Sequence, residues 1–208
     1  GTCGSLTPAP AAGRGAAAAG AQATLARDNW HAEPVKVFDN LYFVGQTEFS
    51  AWAVTTSDGI ILVDTIFDYS VEDEVVGGLR KLGLDPAKIK YAIVSHGHGD
   101  HSNIAGVKGN PVVIKETKEV KGVKFTAIQA FHDDSSGEKR GSMTMFCFKI
   151  DGIRICHCGD LGHSLSDKQA AEIGNVDILM IPVGGNFTID AIVATEVYQK
   201  LGAKIVIP

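Results

Sequence analysis

Residues 91–101 read Tyr91-Ala92-Ile93-Val94-Ser95-His96-Gly97-His98-Gly99-Asp100-His101. An apolar run that predicts a buried strand therefore leads directly into three histidines and an aspartate. In an extended chain, side chains two residues apart point the same way, so His96 and His98 could bind one metal ion. The turn that follows would swing Asp100 and His101 toward a second ion. This clustering at a strand end predicts a metal site in preference to a polar loop that is rich in histidine by chance.

The composition is typical of one globular domain. The chain has 208 residues, of which 45% are apolar and 21% are charged, enough for a sizeable core. The sequence contains no run of the roughly 18 to 20 apolar residues that cross a bilayer, so we expect no membrane-spanning segment. The net charge is −5 and the basic residues are scattered, which argues against nucleic acid as a partner. A small-molecule substrate is the expected partner, and the composition leaves the oligomeric state open.

The N-terminal segment differs from the rest of the chain. Residues 1–29 are rich in Ala and Gly, so we expect a disordered leader, followed by one domain over residues 30–208. Residues 14–23 are similar to the tail of a secretory signal but lack the Leu-rich core of one. Periplasmic or secreted and cytoplasmic locations therefore stay open as alternatives.

Beyond the leader, short strands are followed by later helices. Strands are predicted over residues 35–38, 41–44, 51–56, 60–64, 91–94, 123–128, 143–150, 153–158, 176–181 and 204–207. Helices are predicted over residues 71–82, 167–173 and 188–201. Ser70, a capping box of Ser166 with Gln169, and Thr188 mark the predicted helix starts. Strand meanders with helices inserted late favour an α/β fold with αββα layering, in which two mixed sheets pack face to face with helices outside.

The run His96-Gly97-His98-Gly99-Asp100-His101 resembles the H-x-H-x-D-H signature of the metallo-β-lactamase superfamily. The resemblance implies a later ligand for the first ion, which His132 would supply. It also implies an aspartate that bridges two ions, matched by Asp160, and a carboxylate that supports the ligand loop, matched by Asp64. The metal ligands that it implies are His96, His98, Asp100, His101, His132 and Asp160.

The resemblance covers residues 30–208, but its two halves are similar to different branches of the superfamily. Residues 30–101 are similar to the third subclass of metallo-β-lactamases. The part from residue 103 onward is similar to a short branch related to ascorbate-phosphate lactonase. Family members carry one more ligand histidine after the final helix, and this sequence has no counterpart up to Pro208. We therefore expect a truncated C-terminus and weak or partial occupancy of the second metal position.

Two further residues are candidates for substrate binding. Asn186 follows two glycines and could donate to an oxyanion at the pocket rim, although a tight turn that needs glycine explains the pattern equally well. His163 follows Asp160 by three residues and could line the same pocket. In Cys156-His157-Cys158, alternation places the two cysteines on one face and the histidine on the other, which favours a buried strand over a metal cluster.

Imidazole and carboxylate ligands without a coordinating thiolate favour one or two Zn²⁺ ions, with Fe or Mn as alternatives. The predicted function is a zinc-dependent hydrolase in which a metal-bound hydroxide opens a cyclic amide or ester, a β-lactam or a lactone. Asp100 is the predicted catalytic residue, because it could orient the water or shuttle its proton. The alternatives are a phosphodiesterase or thiolesterase of the same superfamily, or a metal-binding but catalytically impaired fragment that lacks the last histidine ligand.

Overall fold

Two six-stranded sheets pack face to face in the computed structural model, which describes residues 27–208. The first sheet runs in the order of its strands, which are β1 (Val35–Lys36), β2 (Leu41–Phe43), β3 (Trp52–Thr56), β4 (Gly59–Val63), β5 (Ile89–Ile93) and β6 (Val112–Ile114). Its first four strands pair antiparallel, and β4, β5 and β6 pair parallel. The predicted mixed-sheet character of this half is confirmed.

The second sheet is built from the later half of the chain. Its strands are β7 (Lys118–Val120), β8 (Val123–Phe131), β9 (Ser142–Ile150), β10 (Ile153–His157), β11 (Ile178–Met180) and β12 (Ile205–Ile207), in the spatial order β12-β11-β10-β9-β8-β7. Asp151 and Gly152 join β9 to β10 with φ values of 51° and 83°. Positive φ at both turn residues matches the strand twist, which is why this pair gives a tight hairpin.

Alternation along the strands divides the core into three layers. In β4, Ile61 and Val63 face the second sheet, whereas Ile60 and Leu62 face the outer helical layer. The inner layer joins the two sheets through residues such as Phe146 of β9. The outer layers are completed by helices on both sides. The predicted αββα layering is confirmed.

The residues that cap the helices differ from those predicted in two cases. A π-helical turn, Glu72–Val76, continues as α1 (Gly77–Lys81) without a side-chain cap, and the Ser70 hydroxyl donates to Gln46 Oε1 at 2.7 Å. Helix α2 (Asp167–Ile173) has the predicted capping box. Helix α3 (Ala191–Leu201) is capped by Asp190, whose carboxylate accepts from the Val193 amide, so the prediction that Thr188 begins this helix is wrong.

The predicted leader lies largely outside the described residues. Residues 1–26 are not among them, and their predicted disorder stays a prediction. Arg27–Asn29 belong to the predicted leader but form a 3₁₀ turn. Arg27 donates to the buried Glu74 carboxylate at 3.2 Å, which ties this turn to the domain. Within the described part of the chain, ordered structure thus includes residue 27.

Candidate metal centre

The candidate ligands meet at one edge of the sandwich because strand ends from both sheets converge there. The loop that carries His96 to His101 follows β5, and Asp64 follows the parallel neighbour β4. His132 follows β8 and Asp160 follows β10, two strands that run in the same direction within the second sheet. The Thr144 amide of β9 donates to the Ser95 carbonyl at 2.9 Å, which fixes the ligand loop to the second sheet.

Three histidines form the first group of candidate ligands. Ligand atoms of His96, His98 and His132 all lie within 4.8 Å of one another. Nε2 of His96 lies 3.1 Å from Nδ1 of His98. Two nitrogens about 2.1 Å from one tetrahedral zinc ion lie about 3.4 Å apart, so this separation fits a shared ion. His96 and His132 are buried, and His98 is exposed at the mouth of the site.

A second group lies beside the first and shares one of its histidines. Ligand atoms of His96, Asp100 and His101 also lie within 4.8 Å of one another. Nε2 of His101 is 3.7 Å from Asp100 Oδ2, and the His96 and His101 rings have centroids 4.4 Å apart. The geometry therefore brings together the four residues of the first motif, as expected from their spacing.

Asp160 lies between the two groups and turns one oxygen toward each. Its Oδ2 is 2.9 Å from Nε2 of His132 and 3.8 Å from Nε2 of His96. Its Oδ1 is 3.3 Å from Nε2 of His101. This is the arrangement that a bridging carboxylate requires. The glycine before Asp160 lets the two loops approach closely. A Cβ on Gly159, whose φ is +49°, would lie only 2.8 Å from the Ser95 Cβ.

Asp64 is fully buried behind the ligand loop and orders it. Its Oδ1 accepts from the Ser95 amide at 2.7 Å, and its Oδ2 accepts from the Ser95 hydroxyl at 2.8 Å. Nδ1 of His101 lies 2.9 Å from the same Oδ2. Because the hydrogen on His101 Nδ1 points to Asp64, Nε2 is the ring nitrogen that can bind a metal ion once it has given up its own proton.

Through the hydroxyl of Ser95, Asp64 also determines which ring nitrogen of His96 carries the hydrogen. Ser95 Oγ lies 2.9 Å from Nδ1 of His96. Since this hydroxyl gives its hydrogen to Asp64, it can only accept from the imidazole, which therefore carries its hydrogen on Nδ1. Nε2 of His96 is then left free to bind a metal ion.

His157 is a site residue that the sequence did not point to. It is the last residue of β10, and its Nε2 lies 2.8 Å from Asp64 Oδ2. Alternation correctly predicted that it faces away from Cys156 and Cys158, which are free cysteines in the outer core. Its partner lies 93 residues away, so no local pattern carried the pairing.

Burial and nearby charges shift the pKa values of His96 and His101 in opposite directions. Burial, and after it the nearby charge of His101, lower the pKa of His96 to about 4, so this ring is neutral at neutral pH. Burial opposes ionisation of His101, but the carboxylates of Asp64 and Asp160 outweigh it and raise its pKa well above the ordinary value. The pKa of Asp160 is lowered despite burial, because His101 and His132 donate to it.

The donor chemistry fits a divalent cation. The ion pairs that the described residues form with Asp160 all come from histidines, which are ligands for zinc when neutral. Asp100 contributes a second carboxylate that is half-buried and faces His101. A dense group of imidazoles and carboxylates around one small volume suits Zn²⁺, Fe or Mn.

The two predicted substrate-binding residues have different positions. Asn186 lies in the wall of a groove of about 390 Å³ that reaches His101 and Asp160. His163 does not line this groove among the described residues. Its Nε2 accepts from the Phe131 amide at 3.1 Å and its Nδ1 donates to the Ser164 carbonyl at 2.8 Å, so backbone groups occupy both ring nitrogens. His163 therefore lies outside this groove, and its role in substrate binding stays a prediction.

The groove is lined mainly by apolar side chains. Those of Phe43, Phe49, Trp52 and Phe187 contribute aromatic surface, and Glu48 is an acidic residue at its wall. Among the described residues, neither lysine nor arginine is part of this lining. The Arg140 guanidinium lies 5.0 Å from the Phe187 ring centroid, within the range of a cation–π contact.

Within residues 27–208, the structure holds no helix with both the length and the hydropathy of a membrane span.

Comparisons with known proteins agree with this architecture. A family model described as a beta-lactamase superfamily domain matches residues 41–208. A UPF0173 metal-dependent hydrolase of Natranaerobius thermophilus is 29% identical over 167 residues, which are 69% of this chain and 73% of that protein. Another, from Carboxydothermus hydrogenoformans, is 30% identical over 156 residues, covering 62% of this chain and 69% of that protein.

Solved structures give the same result. A candidate Zn-dependent hydrolase of the metallo-beta-lactamase superfamily from Thermotoga maritima is 34% identical, with a TM-score of 0.58 over 76% of this chain and 70% of that one. The metallo-beta-lactamase fold protein YhfI of Bacillus subtilis is 14% identical, with a TM-score of 0.57 over 76% of this chain and 77% of that one. The second likeness concerns the fold alone.

Proposed function

Because the chain belongs to the beta-lactamase superfamily, we propose that it is a zinc-dependent hydrolase that opens a cyclic amide or ester, a β-lactam or a lactone. The observation that carries the proposal is the position of Asp160, which turns one carboxylate oxygen toward His132 and the other toward His101. The ligands that we propose are His96, His98, Asp100, His101, His132 and Asp160.

Each residue of the site has a distinct task. His96, His98 and His132 would hold one ion, Asp100 and His101 would hold a second, and Asp160 would contribute to both. A pair of divalent ions in such a site supplies an acidified water and polarises the scissile carbonyl. Asp100, half-buried beside His101, orients the attacking water and accepts its proton at a carboxylate oxygen.

The groove favours a carbonyl substrate over a phosphodiester. Its described lining is rich in aromatic side chains and has no lysine or arginine, whereas sites for phosphate esters commonly use such cations. Asn186 lies at its wall, and its side-chain amide would donate to the carbonyl oxygen as negative charge develops there. Phe187, which is 62% exposed, offers a surface for an apolar part of the substrate.

Metal analysis followed by assays tests the proposal. Purified protein loaded with Zn²⁺ is expected to hydrolyse a β-lactam or lactone substrate and to hold between one and two equivalents per chain, the second of them bound more weakly. His98→Ala should abolish turnover, whereas His31→Gln, outside the cluster, should not. Turnover that persists without metal would exclude the mechanism. One equivalent or none, without turnover, would favour a metal-binding but catalytically impaired protein.

A further inference from the structure

We infer that His157 is a positioning residue that aligns the two halves of the metal centre through Asp64. The inference rests on the proposed function, since it concerns how the ligands are ordered. His157 contributes no ligand atom to either group of candidate ligands. It acts on them by way of a buried carboxylate.

The contact joins the two sheets. His157 ends β10 of the second sheet, whereas Asp64 directly follows β4 of the first. Nε2 of His157 donates to Asp64 Oδ2 at 2.8 Å, and both side chains are buried, with exposed fractions of 6% and 0%. A hydrogen bond to a carboxylate is stronger than one between neutral groups, and burial excludes competing water.

Asp64 has further donors, and these belong to the ligand loop. The amide and hydroxyl of Ser95 and Nδ1 of His101 bind its two oxygens at 2.7 to 2.9 Å. Of the side chains that the described residues bring to Asp64, His157 alone comes from the second sheet. The Asp64 backbone has a φ of +55°, a region that a non-glycine residue occupies only when its surroundings hold it there.

The consequence concerns the register between two sets of ligands. His96, Asp100 and His101 lie on the loop after β5, whereas His132 and Asp160 follow strands of the second sheet. By fixing Asp64 to β10, three residues before Asp160, His157 sets the position of the loop histidines relative to Asp160. Without His157, the side-chain hydrogen bonds of Asp64 among the described residues come only from the ligand loop, which is the loop that Asp64 itself orients.

Within residues 27–208, only one of the two ring nitrogens of His157 has a hydrogen-bond partner. Among the described residues, none bonds to its Nδ1, which is buried. The ring therefore acts through Nε2 alone, and an amide that places a donor at the same point should replace it. Gln reaches about as far as Nε2, and Asn reaches only as far as Nδ1.

The experiment compares His157→Gln with His157→Asn, two amides that differ by one methylene. Cys156→Ala is the matched control, because it alters the same strand on the opposite face. Cooperative unfolding of each metal-free variant is checked first. Zn²⁺ affinity and stoichiometry are then measured by titration calorimetry and metal analysis, and the coordination geometry is monitored through the visible spectrum of the Co²⁺-loaded protein.

The Asn variant is expected to lose about 10- to 100-fold in Zn²⁺ affinity, as is typical when a group that orients a ligand is removed. The loss should be larger for the more weakly bound equivalent, and the Co²⁺ spectrum should change. The Gln variant should stay within a few fold of the unaltered protein, as should Cys156→Ala. Should the Asn variant fail to fold, His157→Leu serves as a second variant without the donor.

Two results would overturn the inference. One is equal Zn²⁺ affinity in the Asn, Gln and unaltered proteins, and the other is equal loss in the Asn and Gln variants, which would indicate a role in packing alone. Failure of the unaltered protein to bind Zn²⁺ would overturn the proposed function instead, so the two failures are distinguishable.

Discussion

Asp133 stabilises the turn behind the candidate ligand His132. Its carboxylate accepts backbone N–H groups of Ser135, Gly137, Lys139 and Arg140 at 2.7 to 3.0 Å. Burial raises the pKa of Asp133, but these N–H donors outweigh burial and lower it from 3.8 to about 2. Ionised Asp133 therefore favours the folded state, because the unfolded chain cannot provide four donors at once.

Replacement of Asp133 with Asn should remove part of the acid dependence of stability. The folded-state pKa lies below the unfolded value, so the stabilisation is fully present above about pH 4 and is lost as the pH falls through about 2. Urea unfolding from pH 2 to pH 6 should show a lower free energy of unfolding for Asp133→Asn at pH 6 and a shallower slope below pH 4. The exposed Asp68→Asn serves as the control, and an unchanged slope in Asp133→Asn would contradict the assignment.

At the scale of single residues, spacing predicted only those contacts that are local. His96, His98, Asp100 and His101 lie within six residues, so their convergence followed from strand geometry. His132 and Asp160 came from the resemblance, because nothing in their immediate neighbours sets them apart. His157 was missed for a physical reason, since its hydrogen bond to Asp64 exists only once the two sheets have packed.

Two glycines near the site have opposite roles at the level of the loops. A Cβ on Gly162 would lie 2.2 Å from the Asp133 amide nitrogen and 2.3 Å from the His132 carbonyl carbon. The loop after β10 therefore lies directly against the backbone that carries His132. A Cβ on Gly97 would meet no atom within 4 Å, and neither Gly97 nor Gly99 has a positive φ. The backbone at these two motif glycines is therefore one that other residues can adopt.

Alanine substitutions separate the two cases. Gly162→Ala must displace backbone, so we expect it to destabilise the protein by about 2 to 4 kcal/mol, near the upper end for single substitutions. It should also weaken Zn²⁺ binding at least about tenfold, because His132 moves with the loop. Gly97→Ala should change neither by much. Thermal unfolding and Zn²⁺ titration measure both effects, and a Gly162→Ala protein that behaves like Gly97→Ala would refute the close-packing argument.

Helix starts show which local signals hold under tertiary packing. The Ser166 and Gln169 box formed as predicted, since its partners lie within one helical turn. The Ser70 side chain does not cap its helix, and its hydroxyl donates to the Gln46 side chain, 24 residues away. Asp190, and not Thr188, caps the last helix, because its carboxylate accepts from the Val193 amide at 2.9 Å. Which residue caps a helix therefore depends on tertiary contacts and on nearby carboxylates, in addition to the local sequence signal.

Ser166→Ala gives a direct measure of the confirmed cap. Its hydroxyl oxygen accepts from the Gln169 amide at 3.2 Å, and the Gln169 side chain accepts from the Ser166 amide at 3.0 Å. Loss of the serine hydroxyl should cost about 1 kcal/mol in the free energy of unfolding. Urea unfolding of Ser166→Ala beside the exposed Ser164→Ala tests this, and equal stability of the two variants would show that the box contributes nothing.

At the scale of the whole molecule, the candidate centre depends on the packing of two sheets. Alternation predicted the layers, because each strand has one face toward the inner core and one toward the helices. Alternation alone does not state which strand ends meet across the sandwich. The superfamily resemblance supplied that information, and the match over residues 41–208 confirms the resemblance.

A metal centre that joins both sheets should stabilise the entire fold. Ligands from the loop after β5 and from the ends of β8 and β10 come together only in the folded protein, so binding shifts the unfolding equilibrium. With free Zn²⁺ about 100-fold above its dissociation constant, the gain should be about 2.7 kcal/mol. The gain should grow as the pH rises, because the pKa of His101 is raised and its proton must leave before the ring can bind metal.

Urea unfolding with Zn²⁺ and with a chelator, at pH 6 and pH 8, checks this for the unaltered protein and His98→Ala. The gain should shrink in His98→Ala, and identical midpoints with and without Zn²⁺ would show that the cluster does not bind the ion in the folded state.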